Sequence, residues 1–189
     1  MHIQNVKNKV SKGIGILYNA KKVLPKTTLK ILYYSIIYPQ LLYCIEVWGN
    51  ASQIYISSLF KLQKRAVRII NSAEYYANTE SIYKELKILK LSHVYIYSIL
   101  VFLFKVIKDS LSDIFNELFK FNYNIVARQT RQSNKFHVPV CRTRLYEKTI
   151  KFQGVKHWNH LSTLIKYDCS LQSYKKRIKI YLFANFSYS

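Results

Sequence analysis

Apolar residues recur every three or four positions along most of the chain, which is the spacing of an amphipathic helix. The first predicted helix covers residues 3–22, and the clearest one covers residues 56–71. The same periodicity predicts five more helices, which cover residues 81–89, 92–108, 111–120, 146–160 and 170–183. The last of them follows Ser170, a residue type that favours the N-cap position. The pattern therefore indicates a mainly α-helical fold.

Two segments depart from this simple periodicity. Residues 29–49 are apolar and aromatic but include Pro39, so we expect a kinked or broken helix that ends near Gly49. At residues 136–140 apolar and other side chains alternate, which predicts one short strand. Pro139 has no backbone N–H and would place this strand at an edge. The predicted fold is therefore mainly α, with at most a short β element near 136–140.

Two apolar runs raise the question of a membrane. The run at 94–104 has eleven residues, whereas a helix needs about 20 to cross a bilayer. The run at 29–48 is longer but includes Lys30, Pro39 and Glu46. Buried core helices explain both runs more simply, and a helix lying on a membrane surface is the alternative.

Positive charge is concentrated in two blocks of the sequence. The 189 residues include 30 Lys and Arg against nine Asp and Glu, which gives a formal net charge of +21. Residues 1–73 carry a net charge of +10 and residues 127–189 a net charge of +11, while residues 74–126 are neutral and apolar. Two basic surfaces around a packed centre suit a polyanionic partner, of which nucleic acid is the commonest.

The helix predicted over residues 56–71 carries four cations on one side: Lys61, Lys64, Arg65 and Arg68. At about 100° per residue, these side chains fall within a stripe of about 100°. The opposite half of the helix is apolar and consists of Leu59, Leu62, Ala66, Val67, Ile69 and Ile70. Like charges at this spacing repel each other by roughly a few tenths of a kcal/mol per pair. The stripe therefore favours phosphate binding over a solvated face, which normally mixes both signs of charge.

A second group of arginines surrounds the predicted strand and consists of Arg128, Arg131, Arg142 and Arg144. Arginine can bind a phosphate through two parallel hydrogen bonds, which lysine cannot. Tyr75 and Tyr76 could stack on bases, although packing inside the protein is the commoner role of such residues.

The C-terminal helix predicted over residues 170–183 is also basic. One of its faces carries Lys175, Lys176 and Lys179. A second face is apolar and consists of Leu171, Tyr174, Ile178, Tyr181 and Leu182. A terminal helix that faces solvent explains this arrangement at least as well as a binding role.

The sequence offers no clear arrangement for catalysis or for a bound metal. Three acidic residues share one face of a predicted helix: Asp109, Asp113 and Glu117. No further ligand is placed to complete a metal shell there, so a solvent-facing stripe is the better interpretation. A zinc site at His157 and His160 would need Cys169 and the distant Cys141. Because the chain has neither a paired-aspartate motif nor a nucleophile elbow, we expect no cofactor, no metal and no enzymatic activity of its own.

Cysteine usage and the N-terminal segment bear on the cellular compartment. The chain has three cysteines, an odd number, and no CxxC pair. Its first ten residues, MHIQNVKNKV, lack the apolar core of a signal peptide. Both features exclude a secreted disulfide scaffold and indicate a reducing compartment, the nucleus or the cytoplasm.

Several sequence blocks occur in an order that resembles one family. They are YSIIYPQLLYCIEVWGN at 34–50, LFKLQKRAVRII at 59–70, LKILKL at 86–91, and Gly154, Trp158 and Asn159. Together they resemble the region that follows the polymerase palm in non-LTR (LINE-type) retrotransposon reverse transcriptases, jockey-like elements in particular. The resemblance runs across nearly the whole chain, and the first two blocks in combination are its most specific part.

The resemblance implies a helical thumb-like bundle and further C-terminal helices that hold primer and template. Residues 1–126 would form the thumb-like region with basic helix 56–71 and the apolar middle, and residues 127–189 a basic region with a strand and two helices. The family's catalytic carboxylates, which use Mg²⁺, lie upstream in a (Phe/Tyr)-Ala-Asp-Asp motif of the palm. This motif is absent here, so the resemblance implies no catalytic residue in this chain.

The residues leave three functions open. The first is a fragment of an RNA-directed DNA polymerase that binds the RNA/DNA duplex backbone without reading bases, with the palm domain as a further partner. Its expected contacts are Lys61, Lys64, Arg65 and Arg68, with Arg128, Arg131, Arg142 and Arg144 as the second set. The second is a basic helical protein on anionic membrane surfaces, and the third is a non-functional relic of a mobile element.

Overall fold

The computed structural model describes residues 2–108, 110–125, 131–166 and 170–184. Helices make up most of these residues, which confirms the predicted mainly α fold. Packing of the Cα trace divides the chain into two compact units, Met1–Tyr95 and Ile96–Ser189. The division predicted at residue 126 concerns charge and family resemblance rather than packing, and it stays a prediction.

The first unit contains two long helices, α1 (His2–Ala20) and α5 (Gln53–Ile70), which pack against each other. Its other helices are α2 (Lys26–Leu32), α3 (Tyr38–Leu42), α4 (Ile45–Trp48), α6 (Thr79–Leu86) and the first turn of α7 (Leu91–Ile107). The apolar face of α1 is buried and includes Val6, Val10, Ile14 and Leu17. Both long helices lie within one turn of their predicted ranges, because apolar periodicity is strongest where a helix has one buried face.

Pro39 interrupts the helical run as predicted, and the chain accommodates it by widening one turn. The residues Tyr33–Ile37 form a π-helical turn directly before α3, in which the Tyr38 N–H donates to the Tyr33 carbonyl oxygen. Proline has no N–H, and its ring clashes with the carbonyl four residues earlier, which here belongs to Ser35. The wider turn relieves this clash without ending the helix.

A sharp break separates α3 from α4. Cys44 adopts a left-handed conformation with a φ of 51°. The indole Nε1 of Trp48 donates to the Tyr43 carbonyl oxygen at 2.8 Å and holds the turn closed. α4 then ends at Gly49, where a Cβ atom would lie 2.5 Å from the Ile45 carbonyl oxygen. Only glycine fits at this position, and the predicted end of the segment is confirmed.

Gln63 lies on the buried side of α5, where its amide binds groups from three other segments. Its Nε2 donates to the Tyr33 hydroxyl and to the Leu89 carbonyl oxygen, both at 2.9 Å. Its Oε1 accepts from the Tyr83 hydroxyl at 3.2 Å and from the Leu91 N–H at 2.8 Å. Burial raises the pKa of both phenols, which therefore stay neutral. One side chain thus ties α5 to the π turn, to α6 and to the start of α7.

The second unit contains the rest of α7 together with α12 (Leu171–Ala184). Between them in sequence lie α8 (Ile114–Leu118), a 3₁₀ turn (Asn122–Asn124), α9 (Arg144–Glu147), α10 (Ile150–His160) and α11 (Thr163–Lys166). The ring of Tyr174 stacks on Phe104 with 4.1 Å between centroids, and its hydroxyl donates to the Leu100 carbonyl oxygen at 3.2 Å. Trp158 lies 6.1 Å from Tyr174, so the core of this unit is aromatic.

The predicted strand at 136–140 is reduced, within the described residues, to one antiparallel bridge between Phe121 and Phe136. The next backbone donor on the bridged side after His137 would belong to Pro139, which has no N–H, so the pairing stops. The other side of Phe136 is bound by the side-chain amide of Asn159. Its Nδ2 donates to the Phe136 carbonyl oxygen at 2.9 Å, and its Oδ1 accepts from the Phe136 N–H at 3.0 Å. The backbone groups of Phe136 that face away from the bridge are therefore occupied by a side chain.

Two helices are shorter than predicted. The segment at 111–120 forms only the five residues of α8, and the helix predicted over 146–160 is divided into α9 and α10. At this division the Thr149 hydroxyl donates to the Tyr146 carbonyl oxygen at 2.7 Å, in competition with the helical backbone bonds. Ser170 caps α12 as predicted, since its Oγ accepts from a backbone N–H of the first turn at 3.3 Å.

No single helix in the described part of the chain has the length and composition to cross a membrane. The pair α6 and α7 meets this test only together, with a bend of 42° between the two helices. Most side chains of α7 are buried, as predicted for a core helix at 92–108; they include Val94, Ile99 and Leu103.

Candidate nucleic-acid interface

The outer side of α5 presents the cationic stripe. Lys61 and Arg65 are exposed, while Lys64 and Arg68 are half-buried. The inner side is buried and includes Leu59, Ala66, Val67, Ile69 and Ile70. Leu62, which we expected on the apolar side, is only half-buried, because it lies at the edge of the packed face.

The stripe has no acidic partner within the described residues. The ion pairs found there join Lys26 to Glu85 and Lys90 to Glu80, the latter at 2.8 Å. Neither α1 nor α5 contains an aspartate or a glutamate. Because these two helices pack together, the stripe and Lys21 directly after α1 lie on one surface, which we call the basic face of α1 and α5.

Two of the four stripe cations also make contacts within the first unit. The Lys64 ammonium lies 4.5 Å from the centroid of the Phe60 ring, a cation–π contact on the surface of the same helix. Arg68 donates from Nε to the Ala77 carbonyl oxygen at 3.0 Å. This bond ties the end of α5 to the loop at 71–78 and leaves the terminal guanidinium nitrogens for other partners.

A cavity of about 200 Å³, which we call the basic notch, lies beside the stripe. Its lining consists of Tyr18, Lys21, Arg65, Arg68, Ile69, Ala73 and Tyr75. The structure thus brings two stripe arginines together with a lysine that follows α1 and with tyrosines from α1 and from the loop after α5. Cations beside exposed aromatic rings can bind a phosphate and its attached base.

Neither Lys21 nor Tyr18 stands out in the sequence as a site residue. The available signal is weak: both fall outside the buried set of α1, which ends at Leu17. Periodicity can place a residue away from the core, but it cannot say which neighbouring helix that residue meets. The packing of α1 on α5 makes this choice. Tyr75, named as a possible stacking residue, lines the same cavity.

The second group of predicted cations belongs to the second unit. Arg131, Arg142 and Arg144 are all exposed, and Arg128 lies outside the described residues. Thr143 accepts from the Tyr146 N–H at 3.2 Å and so fixes the start of α9, where Arg142 precedes the helix and Arg144 is its first residue. These exposed side chains are free to meet an anion from solvent.

Two of the five histidines lie in surroundings that disfavour their charged form. Burial, together with the charge of Lys90, lowers the pKa of His93 to about 4. Burial also lowers the pKa of His157, with smaller contributions from Lys156 and His160. Both imidazoles are therefore mainly neutral near pH 7.

The residues considered for a metal site are not brought together where the structure describes them. No group of three or more His, Cys, Asp or Glu among the described residues could hold a metal ion. Asp109 and Cys169, which belong to the acidic stripe and to the zinc arrangement considered above, lie outside those residues. Asp113 is the residue before α8 and makes no side-chain capping bond.

Comparison with protein-family models, curated proteins and solved structures finds no match to this chain. The assignment of the candidate interface is therefore supported by the geometry and charge of the chain itself. Its strongest features are the unneutralised face of α1 and α5 and the basic notch within it.

Proposed function

We propose that this chain binds the sugar–phosphate backbone of a nucleic-acid duplex through the basic face of α1 and α5. The observation that carries this proposal is the cationic stripe of α5, which has no carboxylate partner within the described residues. A stripe of this kind destabilises the free protein through repulsion between its members. A phosphate backbone removes that repulsion and releases condensed counterions when it binds.

The dimensions of the stripe fit such a partner. From Lys61 to Arg68 the stripe extends about 10 Å along the helix axis. One strand of a duplex advances about 3.4 Å per nucleotide along its axis, so the stripe can face about three successive phosphates. Contacts of this kind position a duplex and carry no base information, which agrees with a non-specific holding role.

We further propose that the chain corresponds to the post-palm region of a LINE-type reverse transcriptase. The order of the sequence blocks at 34–50, 59–70 and 86–91 supports this assignment. In this role the chain holds the RNA/DNA product while the palm supplies the Mg²⁺-dependent chemistry, and it has no catalytic activity of its own. Sequencing of the transcript and the genomic DNA upstream of Met1 tests the assignment: we expect an open frame that contains a palm Asp-Asp motif. Stop codons or unrelated sequence there would favour the relic instead.

The backbone proposal is tested by duplex binding at several salt concentrations, measured by fluorescence anisotropy. The variant combines Lys61→Gln, Lys64→Gln and Arg65→Gln, and it retains Arg68 because that side chain also holds the loop after α5. We expect lower affinity and a salt dependence, log K against log salt, that is less steep by roughly three. An unchanged affinity and slope would refute the assignment of the stripe.

A membrane surface is the second candidate, and the bent pair of α6 and α7 is the observation in its favour. Flotation with neutral phosphatidylcholine vesicles separates the two functions. Binding to neutral lipid requires apolar insertion and would favour the membrane. Duplex binding that weakens steeply with salt, without flotation, would favour nucleic acid.

A further inference from the structure

We propose that the basic notch binds one unpaired nucleotide at the end of a nucleic-acid strand, its phosphate at the cations and its base on a tyrosine ring. The inference rests on the proposed function, because it assigns a particular subsite within the basic face of α1 and α5. It goes further in predicting a preference for a strand end over the interior of a duplex.

The phosphate half of the notch is formed by Lys21, Arg65 and Arg68, which come from two segments far apart in sequence. No acidic residue lines the cavity; Glu74 lies in the neighbouring loop and does not belong to the lining. Arg68 is oriented by its bond to Ala77, and its terminal nitrogens still carry the paired donors that suit a phosphate.

The base half of the notch is formed by Tyr18 and Tyr75. Their exposed fractions are 57% and 71%, so more than half of each side chain is open to a ligand. Tyr75 meets Tyr76 in a T-shaped contact at 4.9 Å, which occupies at most one face of the Tyr75 ring. A free tyrosine face can stack on any base, which suits recognition without sequence preference.

The size of the notch favours an unpaired nucleotide that belongs to a longer strand over a free nucleotide. Its volume of about 200 Å³ is below the range of roughly 300–1,000 Å³ that is usual for pockets enclosing a free small molecule. A base inside a duplex is already stacked on both sides and cannot reach a tyrosine ring. An unpaired nucleotide can reach the ring, and the neighbouring stripe would hold the duplex to which that nucleotide is attached.

The test compares a blunt duplex with the same duplex carrying a short single-stranded overhang, by fluorescence anisotropy with the label at the opposite end. We expect the wild-type chain to bind the overhang duplex about tenfold more tightly. The double variant Tyr18→Ala, Tyr75→Ala should lose this preference. Tyr55→Ala is the matched control, since Tyr55 is 58% exposed, belongs to α5 and does not line the notch. It should keep the preference.

The possible outcomes separate this inference from the proposed function. The assignment of the notch would be overturned if the wild type bound both duplexes equally, or if the double tyrosine variant kept the preference. Either result would leave backbone binding intact. If neither duplex bound, the proposed function would fail, and the notch would be tested with a single-stranded trinucleotide by chemical-shift changes at Tyr18 and Lys21. Shifts there would support the notch, and their absence would overturn it.

A competition measurement distinguishes a strand end from a free nucleotide. Nucleoside monophosphate is added to the complex with the overhang duplex. We expect it to compete at least tenfold more weakly than the trinucleotide, because the stripe contributes contacts only to a longer strand. Equal competition would show that the cavity takes a free nucleotide and would overturn the assignment to a strand end.

Discussion

The helices α5 and α12 contain the same kinds of residues, but their cations are arranged differently around the helix. Each has one buried face, several cations and no acidic residue. The four cations of α5 lie within about 100° of the helix circumference. Those of α12, which are Lys175, Lys176, Arg177 and Lys179, extend over about 200°. A single phosphate backbone can meet the whole first set but only part of the second, so we expect the angular arrangement of charge, rather than its amount, to decide duplex binding.

The two helices also differ in how their inner faces are anchored. α5 is held by the amide of Gln63, which makes its four hydrogen bonds inside the first unit. α12 is held by Tyr174, which combines a ring stack on Phe104 with a hydroxyl bond to Leu100. A polar anchor fixes the rotation of a helix about its axis more strictly than an apolar contact does, because hydrogen bonds are directional. Because the stripe lies on the outer side of α5, the direction in which its cations point is fixed as well.

The largest effect is expected from Gln63→Leu, which removes the amide and keeps most of the side-chain volume. Four buried polar groups would lose a partner at a cost of roughly 1–3 kcal/mol each, with partial relaxation. We expect the free energy of unfolding, measured by urea denaturation, to fall by about 3 kcal/mol or more. Gln53→Leu, at the exposed start of α5, is the control and should change it by less than about 0.5 kcal/mol. A loss below about 1 kcal/mol for Gln63→Leu would contradict the anchoring role.

A medium effect is expected when equal charge is removed from the two helices. The α12 variant combines Lys175→Gln, Lys176→Gln and Arg177→Gln, whose positions extend over about 200°, and it changes the net charge by the same amount as the triple variant of α5. We expect the α5 variant to weaken duplex binding about tenfold more than the α12 variant, because only the α5 cations face one backbone together. Equal losses in the two variants would mean that binding responds to net charge alone and that the stripe has no special role.

The smallest effect is expected from Tyr174→Phe. The ring stack on Phe104 is retained, and the hydroxyl bond to Leu100 is removed. Urea denaturation should show a loss of about 1 kcal/mol in the free energy of unfolding. Tyr123→Phe serves as the control, since Tyr123 is 54% exposed and its hydroxyl has water as an alternative partner. A loss as large as that of Gln63→Leu would remove the proposed contrast between the two anchors.

Much of the fold could be predicted from local pattern. The helices α1 and α5 follow from the spacing of their apolar residues, the irregular helical segment around Pro39 from the missing N–H, and the start of α12 from its serine cap. The one-sided stripe of α5 also follows from spacing alone. These features depend on residues within one or two turns of each other, where helix geometry fixes the relation between positions.

The remaining features depend on contacts between distant residues. Asn159 binds the backbone N–H and carbonyl oxygen of Phe136 on the side opposite the bridge to Phe121. In the sequence, Gln63 is a polar residue near an apolar face. Only its hydrogen-bond partners from three other segments show that it holds α5 in place. Lys21 reaches the two stripe arginines only because α1 packs on α5.

The sequence by itself determined the helical class of this protein, the excess of positive charge and the stripe on α5, because periodicity and charge are properties of neighbouring residues. The tertiary structure alone decided the rotation of α5 through Gln63, the binding of Asn159 to the backbone of Phe136 and the existence of the basic notch. Hydrogen bonds between distant segments and the meeting of two helix surfaces have no local signature, since many pairings are compatible with the same pattern until the core is packed.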